Sequence, residues 1–184
     1  MNKKNIVNSQ NKDIFSKPCT ILFDTCSILN GDAFTSCMKS IISNRNEKHR
    51  IIILSSVIQE LRYLANSSTS TCRNEAYRAM NELPVLTKAN VLSVIGDSTI
   101  AEQADYSILK YVSVHRFNQN IIVVTQDRQL ADDISMLNNI KSLPPVYVRK
   151  MNYHGNLVSP WDDCHKKESS TNNASDILKR FGIA

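Results

Sequence analysis

Short apolar runs rich in isoleucine, leucine and valine recur along the chain, and each main run is followed by a segment with helical spacing. The strand candidates are residues 19–24, 50–56, 90–96 and 121–126, with 145–150 as a candidate fifth strand. The runs show almost no alternation of polar and apolar residues, which fits strands buried on both faces of a sheet. Strands that alternate with helices predict an α/β fold, with a central parallel sheet of four to five strands and helices on both faces.

The segments between these runs carry the apolar spacing of amphipathic helices. The predicted helices span residues 33–47, 56–65, 71–84, 98–118 and 128–139. Proline lacks an amide hydrogen and clashes with the preceding turn, so Pro84 is expected to end the third helix. Ser98 or Thr99 is expected to cap the fourth helix through its side-chain hydroxyl.

The length of 184 residues suits one domain with a substantial core. The polar residues 1–18 are interpreted as a flexible N-terminal arm, residues 19–150 as the folded domain, and residues 151–184 as a C-terminal extension with a polar tail. No apolar run approaches the roughly 18 residues that a membrane helix needs, and the polar start lacks the apolar core of a signal peptide. We therefore expect a cytoplasmic protein without membrane association.

Charge and cysteine usage narrow the choice of function. A formal net charge of +5 permits a polyanionic partner such as RNA without requiring one. The five cysteines are scattered and form no C-x-x-C pair, so the sequence predicts neither a zinc knuckle nor a disulfide framework.

Each of the four main strand candidates delivers an acid toward the same edge of the predicted sheet. Asp24 ends the first strand, and Asp127 follows the fourth. Glu60 and Asp105 lie on the helices that follow the second and third strands. Taken singly, Asp24 and Asp127 are also explained as helix caps, and Glu60 as a solvated helix charge. Taken together, the four acids form a candidate site, because open parallel sheets bind ligands at the carboxyl ends of their strands.

Asp105 is the acid that is hardest to explain as a surface charge. On a helical wheel it falls inside a broad apolar arc, between Leu109 and Val112. A carboxylate directed at a core is costly unless it is paired or bound to a metal, so a buried Arg or Lys partner is the alternative.

Clustered carboxylates repel one another and raise one another's pKa values. Hard divalent cations prefer oxygen ligands, and Mg²⁺ usually combines one or two carboxylates with waters and phosphate oxygens. The acids therefore indicate a metal site with a phosphate substrate. Two metals in such a site would activate water for phosphodiester hydrolysis.

Four segments resemble, in order and spacing, the motifs of PIN-domain nucleases. ILFDTCSIL resembles the first strand ending in Asp-Thr, and VIQEL the helix with its Glu. ADYSILKYV resembles the helix with the third acid, and VVTQDRQLADDI the Thr-x-Asp after the fourth strand. The resemblance covers about residues 19–150. Within this family the chain looks similar to PIN domains of the PhoH-associated type, with the PIN toxins of toxin–antitoxin pairs as the other near group.

The resemblance implies a three-layer PIN-like fold and an endonuclease that cleaves single-stranded RNA with Mg²⁺ or Mn²⁺ and a metal-activated water. The residues that match the acidic positions of the family, and that would bind metal and act in catalysis, are Asp24, Glu60, Asp105 and Asp127. Thr125 would orient the site through its hydroxyl. Thr25 or Ser27 would assist substrate binding near the first acid. Cys26 stands where the family often has Asn, and we expect it to be a neighbour rather than a ligand.

Basic and aromatic residues on the two helices beside the acidic edge are candidate substrate contacts. Arg62 and Arg73 are predicted to bind phosphates, and nearby tyrosines could stack on bases. An ordinary solvated helix face explains these residues equally well. Asp132 and Asp133 cannot both face the site from one helix, so they are left out of the predicted core set.

Three alternatives share part of this reasoning. A PIN-fold RNA-binding adaptor would keep the fold without cleaving. A toxin ribonuclease would share the chemistry and have an antitoxin as its partner. A DNA nuclease of the flap type usually carries more acids and a helical arch, neither of which is evident in the sequence. A homodimer or another protein partner also stays open.

Overall fold

The computed structural model describes Phe15 and residues 17–43, 49–97 and 102–161. Most of the predicted flexible arm at 1–18 lies outside the described residues. So do the polar tail from 162 onward and the predicted caps Ser98 and Thr99. Within the described ranges, no helix is long and apolar enough to cross a membrane.

The centre of the molecule is a six-stranded sheet with the strand order β3-β2-β1-β4-β5-β6. The strands are β1 (Cys19–Phe23), β2 (Arg50–Leu54), β3 (Ser93–Ile95), β4 (Asn120–Val124), β5 (Val146–Met151) and β6 (Leu157–Val158). Neighbouring strands from β3 to β5 are parallel, and β6 pairs antiparallel with β5. The predicted α/β fold is confirmed. The sheet has one strand more than expected, because β6 comes from the segment interpreted as a C-terminal extension.

Helices connect the strands and flank the sheet. They are α1 (Thr25–Leu29), α2 (Gly31–Ser43), α3 (Ser55–Asn66), α4 (Arg73–Lys88), α5 (Ala104–His115) and α6 (Arg128–Met136), which a 3₁₀ turn (Leu137–Asn139) extends. All of β1 and four of the five residues of β4 are buried. This burial is what strands covered by helices on both faces require.

The end of α4 and the start of α5 differ from the sequence prediction by four residues or more. Pro84 lies inside α4 instead of ending it, because the buried stripe that includes Ala79 and Leu83 continues to the partly buried Leu86 beyond the proline. Packing of an apolar face contributes more to helix stability in a protein than local propensity does. The described part of α5 begins at Ala104, later than the predicted start at residue 98.

The parallel strands β1 to β4 end within one residue of one another, and this alignment builds the functional edge. Phe23 pairs with Val124, and Leu54 pairs with Ile95. The residue that follows each strand therefore lies on the same edge of the sheet. Gly96 follows β3 with a φ of +107°, and a Cβ there would lie 2.6 Å from Ser55 Oγ, so only glycine lets β3 end this close to α3.

Candidate active site

Asp24 is the most constrained acid of the edge. It caps α1, and its Oδ1 accepts a hydrogen bond of 2.7 Å from the Ser27 amide. The Thr125 hydroxyl donates to Oδ2 of the same carboxylate. Asp24 is only 2% exposed, and this burial raises its pKa to about 6. The hydrogen bonds from Thr125 and Ser27 oppose the rise, and repulsion by Asp105 adds to it.

Asp127 reaches the same edge from the end of β4. It caps α6, where its Oδ1 accepts from the Leu130 amide at 3.0 Å, and it is half-buried. Its own amide donates to Thr125 Oγ1 at 2.9 Å. The Thr125 hydroxyl therefore links two acids, since it donates to Asp24 and accepts from Asp127. That Thr125 orients the site stays a prediction, and these two hydrogen bonds are the contacts through which it would do so.

Glu60 comes to the edge on the exposed face of α3. Its Oε2 accepts a hydrogen bond of 2.7 Å from the Thr25 hydroxyl. Thr25 directly follows Asp24 in the chain, so this bond ties the second acid to the first.

Asp105 is the second residue of α5 and is exposed rather than directed into the core. The helical-wheel expectation of a buried carboxylate is wrong, because the side chain of Asp105 is open to solvent in the first turn of α5 although its neighbours Ala104 and Ser107 are buried. Partial burial of the carboxyl raises the pKa of Asp105, and repulsion from Asp127, Glu60 and Asp133 raises it further. The environment of Asp105 is therefore acidic, as the clustering of acids predicts.

The thiol of Cys26 shows that the four acids share one neighbourhood. Partial burial raises its pKa to about 11, and four carboxylates add to the rise. These carboxylates are Asp24, Asp127, Glu60 and Asp105, in decreasing order of effect. All four predicted acids are thus close enough to one point to repel a charge there. Cys26 is a neighbour of the acids, as expected.

Two of the acids also line an open cavity of about 640 Å³ between α3 and α5. Glu60 and Asp105 lie on its walls, together with Tyr63, whose side chain is 73% exposed. We name this space the catalytic cavity. Sequence reasoning missed Glu102, which also lines it, because the residue was placed inside a predicted helix and not in the segment before α5.

Thr25 and Ser27 were predicted to assist substrate binding, and the structure gives their hydroxyls other partners. Both residues are buried. Thr25 donates to Glu60, and Ser27 Oγ donates to the Val124 carbonyl at 2.9 Å. Their positions support the acids from within the chain, and direct contact with a substrate would require these bonds to break.

The predicted phosphate-binding arginines are both exposed, Arg62 on α3 and Arg73 at the start of α4. Arg73 begins α4, and its Nε donates to the Ala65 carbonyl at 3.3 Å, which joins the two helices. Of the two acids left out of the core set, Asp133 repels Asp105, whereas Asp132 accepts a hydrogen bond from the Trp161 indole at 3.1 Å.

The donor set consists of carboxylate oxygens, which suit a hard divalent cation. Burial raises the pKa values of Asp24 and Asp105, repulsion between the acids adds to the rise, and a bound cation would relieve this repulsion. Among the residues that the structure describes, no three His, Cys, Asp or Glu side chains form a ready group of metal ligands. The acids lie around one space, and some of their carboxylates would have to change rotamer toward its centre to bind one ion.

The fold and site define an α/β protein with an acidic cleft at the carboxyl edge of its parallel sheet. The family model of the PIN domain matches residues 21–138, and the chain belongs to this family. Proteins of the PIN family are generally nucleases, so the chain is a member of a nuclease family.

A solved structure of a PIN domain endonuclease agrees with this assignment at the level of the fold. The PIN domain endonuclease Utp24 is 19% identical to the chain, with a TM-score of 0.50. The match covers 74% of this chain and 88% of Utp24. A domain of a functionally unknown protein from Methanocaldococcus jannaschii DSM 2661 is 18% identical, with a TM-score of 0.45 and coverage of 70% and 90%. No curated protein matches the chain significantly.

Proposed function

We propose that the chain is a metal-dependent endoribonuclease that hydrolyses phosphodiester bonds in single-stranded RNA. The observation that carries this proposal is the convergence of Asp24, Glu60, Asp105 and Asp127 on one acidic point beside an open cavity. Four separate segments of the chain supply these acids, and helix capping explains only two of them. Such convergence in a chain of net charge +5 fits a site for a cation and a phosphate.

Asp24, Glu60, Asp105 and Asp127 are the residues that would hold Mg²⁺ or Mn²⁺. When bound, the ion would lower the pKa of a water molecule and polarise the phosphate. The chain itself supplies orientation. Thr125 and the Ser27 amide fix both oxygens of Asp24, and Thr25 holds one oxygen of Glu60.

The catalytic cavity favours a single strand as the substrate. Its walls, α3 and α5, carry Glu60 and Asp105, so a phosphate must enter the space between two helices. An unpaired strand can bend its backbone into such a cavity and turn its bases outward, whereas a duplex holds its phosphates on a rigid surface. The exposed ring of Tyr63 at this cavity offers a surface on which a base could stack. Arg62 and Arg73 stay predicted phosphate contacts.

A second candidate is a non-cleaving RNA-binding adaptor. It is favoured by the finding that, across the described ranges, no three potential ligands form a ready metal site. In this case the same cavity would bind RNA without hydrolysing it. A cytoplasmic location, a homodimer and an antitoxin partner stay predictions.

Cleavage of an end-labelled single-stranded RNA in the presence of Mn²⁺ tests the proposal. We expect Asp24→Asn and Asp105→Asn each to slow cleavage by at least about 100-fold. The control is Glu75→Gln, an exposed acid in the first turn of α4, which should cleave like the wild type. If the wild type cuts none of a varied set of RNAs and calorimetry detects no Mn²⁺ binding, the nuclease proposal is rejected. RNA binding without cleavage would then support the adaptor.

A further inference from the structure

A second cavity of about 430 Å³ adjoins the catalytic cavity. Its walls are mainly apolar and include Leu54 at the end of β2, Ile95 at the end of β3, and Val114 on α5. Ser56 and Glu102 line both cavities, so these two residues form the boundary between them. Apolar cavities of roughly 300–1,000 Å³ with a few polar groups are typical sites for small organic ligands. We name this space the side cavity.

The boundary contains a polar group without a partner. Ser56 is 5% exposed, and its buried hydroxyl has no hydrogen-bond partner among the described residues. Buried hydroxyls are nearly always paired in native proteins. Ser56 lines both cavities, and its hydroxyl, which is closed to solvent as the structure stands, would have to turn toward a polar atom of a ligand to bind it.

The polar wall of the side cavity carries two acids, Asp97 and Glu102, and one base, Lys110. The Glu102 carboxylate accepts hydrogen bonds from Ser107 Oγ at 2.7 Å and from Lys110 Nζ at 3.1 Å. These two contacts lower the pKa of Glu102, so it is an ionised acceptor at neutral pH. Each carboxylate oxygen keeps a further lone pair for a ligand N–H group. Because Lys110 is already paired with Glu102, this wall suits an uncharged ligand with hydrogen-bonding edges better than a phosphate.

An aromatic surface completes the cavity. The ring of Tyr111 lines it and lies 4.2 Å from the ring of His115, which lines it as well. Flat heteroaromatic groups pack favourably on such rings. The side cavity thus combines aromatic and aliphatic walls with a hydrogen-bonding wall, which is the chemistry that recognises an unpaired base.

We propose that the side cavity binds one unpaired nucleobase of the strand whose phosphate lies in the catalytic cavity. The inference rests on the proposed function and adds a site of base selection to it. Because Ser56 and Glu102 border both spaces, the bound base belongs to a nucleotide next to the scissile phosphate. Ser56, Glu102 and Tyr111 are then determinants of base preference.

Titration with the four ribonucleosides tests this site without phosphate, metal or cleavage. We expect at least one nucleoside to shift the backbone NMR signals of Ile95, Tyr111 and Val114 in the full chain at concentrations up to about 10 mM, a range that detects millimolar affinities. Val114→Trp should fill the cavity and abolish the shifts, and position 114 is exposed enough to accept the larger ring. Ser113→Trp is the matched control, since Ser113 is exposed on α5 and does not line the cavity.

Ser56→Ala separates binding from folding. Removal of an unpartnered hydroxyl should leave the thermal midpoint unchanged or raise it. The same change should weaken the nucleoside complex by roughly 3- to 10-fold, because the ligand loses one hydrogen bond. If no nucleoside shifts these signals, or if Val114→Trp binds as well as Ser113→Trp does, the base site is rejected.

Cleavage of a randomised RNA provides the second readout. We expect the cuts that Val114→Trp makes to lose the base preference beside the cut, while those of Ser113→Trp keep it. An unchanged preference in Val114→Trp would overturn the inference. If the wild type does not cut at all, the proposed hydrolysis fails, but the nucleoside titration still decides whether the side cavity binds a base.

Discussion

The two sides of the acidic edge are built in different ways. On the β1–β4 side, Asp24 is buried, and both of its carboxylate oxygens accept hydrogen bonds from the chain. On the α3–α5 side, Glu60 and Asp105 are exposed and line an open cavity. Asp127 is intermediate, since it is half-buried and caps α6.

This difference gives the two kinds of acid different freedom to move. A buried carboxylate with fixed partners is held in one position, but its charge is costly because burial disfavours the ionised form. An exposed carboxylate on a helix costs little and can change its rotamer when an ion or substrate arrives. The buried acid therefore fixes the position of the site. The exposed acids can adjust their rotamers to a bound ion or substrate.

Replacement of Asp24 should have the largest effect on stability. At about pH 7.5 the Asp24 carboxylate is ionised and buried, because burial raises its pKa only to about 6. Asp24→Asn removes this charge at nearly constant volume, so we expect the free energy of unfolding to rise by about 1–3 kcal/mol. Urea unfolding with a chelator present measures the change.

Glu60→Gln is the matched change on the open side. Glu60 is exposed, so its replacement should alter the free energy of unfolding by less than about 0.5 kcal/mol. Both variants should lose cleavage, but only Asp24→Asn should gain stability. Equal stability of the two variants would contradict the contrast between a buried and an exposed acid.

The two threonines that hold the acids offer the next comparison. Thr125 bonds the buried Asp24, and Thr25 bonds the exposed Glu60. Thr125→Val leaves a buried carboxylate with fewer hydrogen bonds, so we expect a loss of about 1–3 kcal/mol. Thr25→Val leaves a carboxylate that water can solvate and should cost less than about 1.5 kcal/mol. Chemical unfolding at neutral pH would show whether the larger loss belongs to Thr125.

Much of the fold was predictable because its signal is local. Apolar runs that end in a polar residue predicted β1, β2 and β4 to within two residues at either end. Asp24 and Asp127 each cap the N-terminus of a helix, and such caps follow from local preferences for a side chain that accepts a backbone amide hydrogen bond. The short α1 was missed because its five residues carry no helical period of their own.

The errors concern features that depend on tertiary packing. Continued burial overrides Pro84 within α4. On the wheel Asp105 still lies beside the buried Ile108 and Val112, but it is in the first turn of α5 and lines the open cavity, so its angular position alone did not predict its exposure. Glu102 accepts hydrogen bonds from Ser107 and from Lys110, which is eight residues further along the chain. Whether these contacts form depends on where α5 begins.

The pH dependence of stability gives a smaller and more specific test of the buried side. The pKa of Asp24 is raised above its usual value of 3.8, so between about pH 4 and pH 6 the folded state binds more protons than the unfolded state. Stability of the metal-free protein should therefore fall as pH rises through this window, by at most about 1.4 kcal/mol per pH unit from this group.

Comparison of variants isolates the contribution of Asp24. The raised pKa of Asp105 acts in the same direction, so the slope of the wild type alone does not identify the group. Asp24→Asn should reduce the slope between about pH 4 and pH 6, whereas Glu60→Gln should keep it. An equal slope in Asp24→Asn and the wild type would refute the buried, ionisable Asp24.

The smallest expected effect is on the alkylation rate of Cys26, and it tests whether acids from both sides of the edge lie near one point. Cys26 is exposed, and all four acids raise the pKa of its thiol. Only the thiolate reacts with iodoacetamide, so loss of one of these charges from either side should speed alkylation. We expect Asp127→Asn and Glu60→Gln each to increase the rate at Cys26 by about 2- to 5-fold in the metal-free protein at about pH 8.

Peptide mass spectrometry assigns the alkylation to Cys26 among the cysteines. Asp133→Asn is the matched control, because Asp133 raises the pKa of Asp105 and is not among the acids that raise the pKa of Cys26. Acceleration by Asp127→Asn alone would mean that Glu60 stands apart from the buried side and that the edge is not one site. If both variants accelerate alkylation and the control does not, acids from both sides of the edge act on the Cys26 thiol. One ion or one phosphate could then contact acids from both sides.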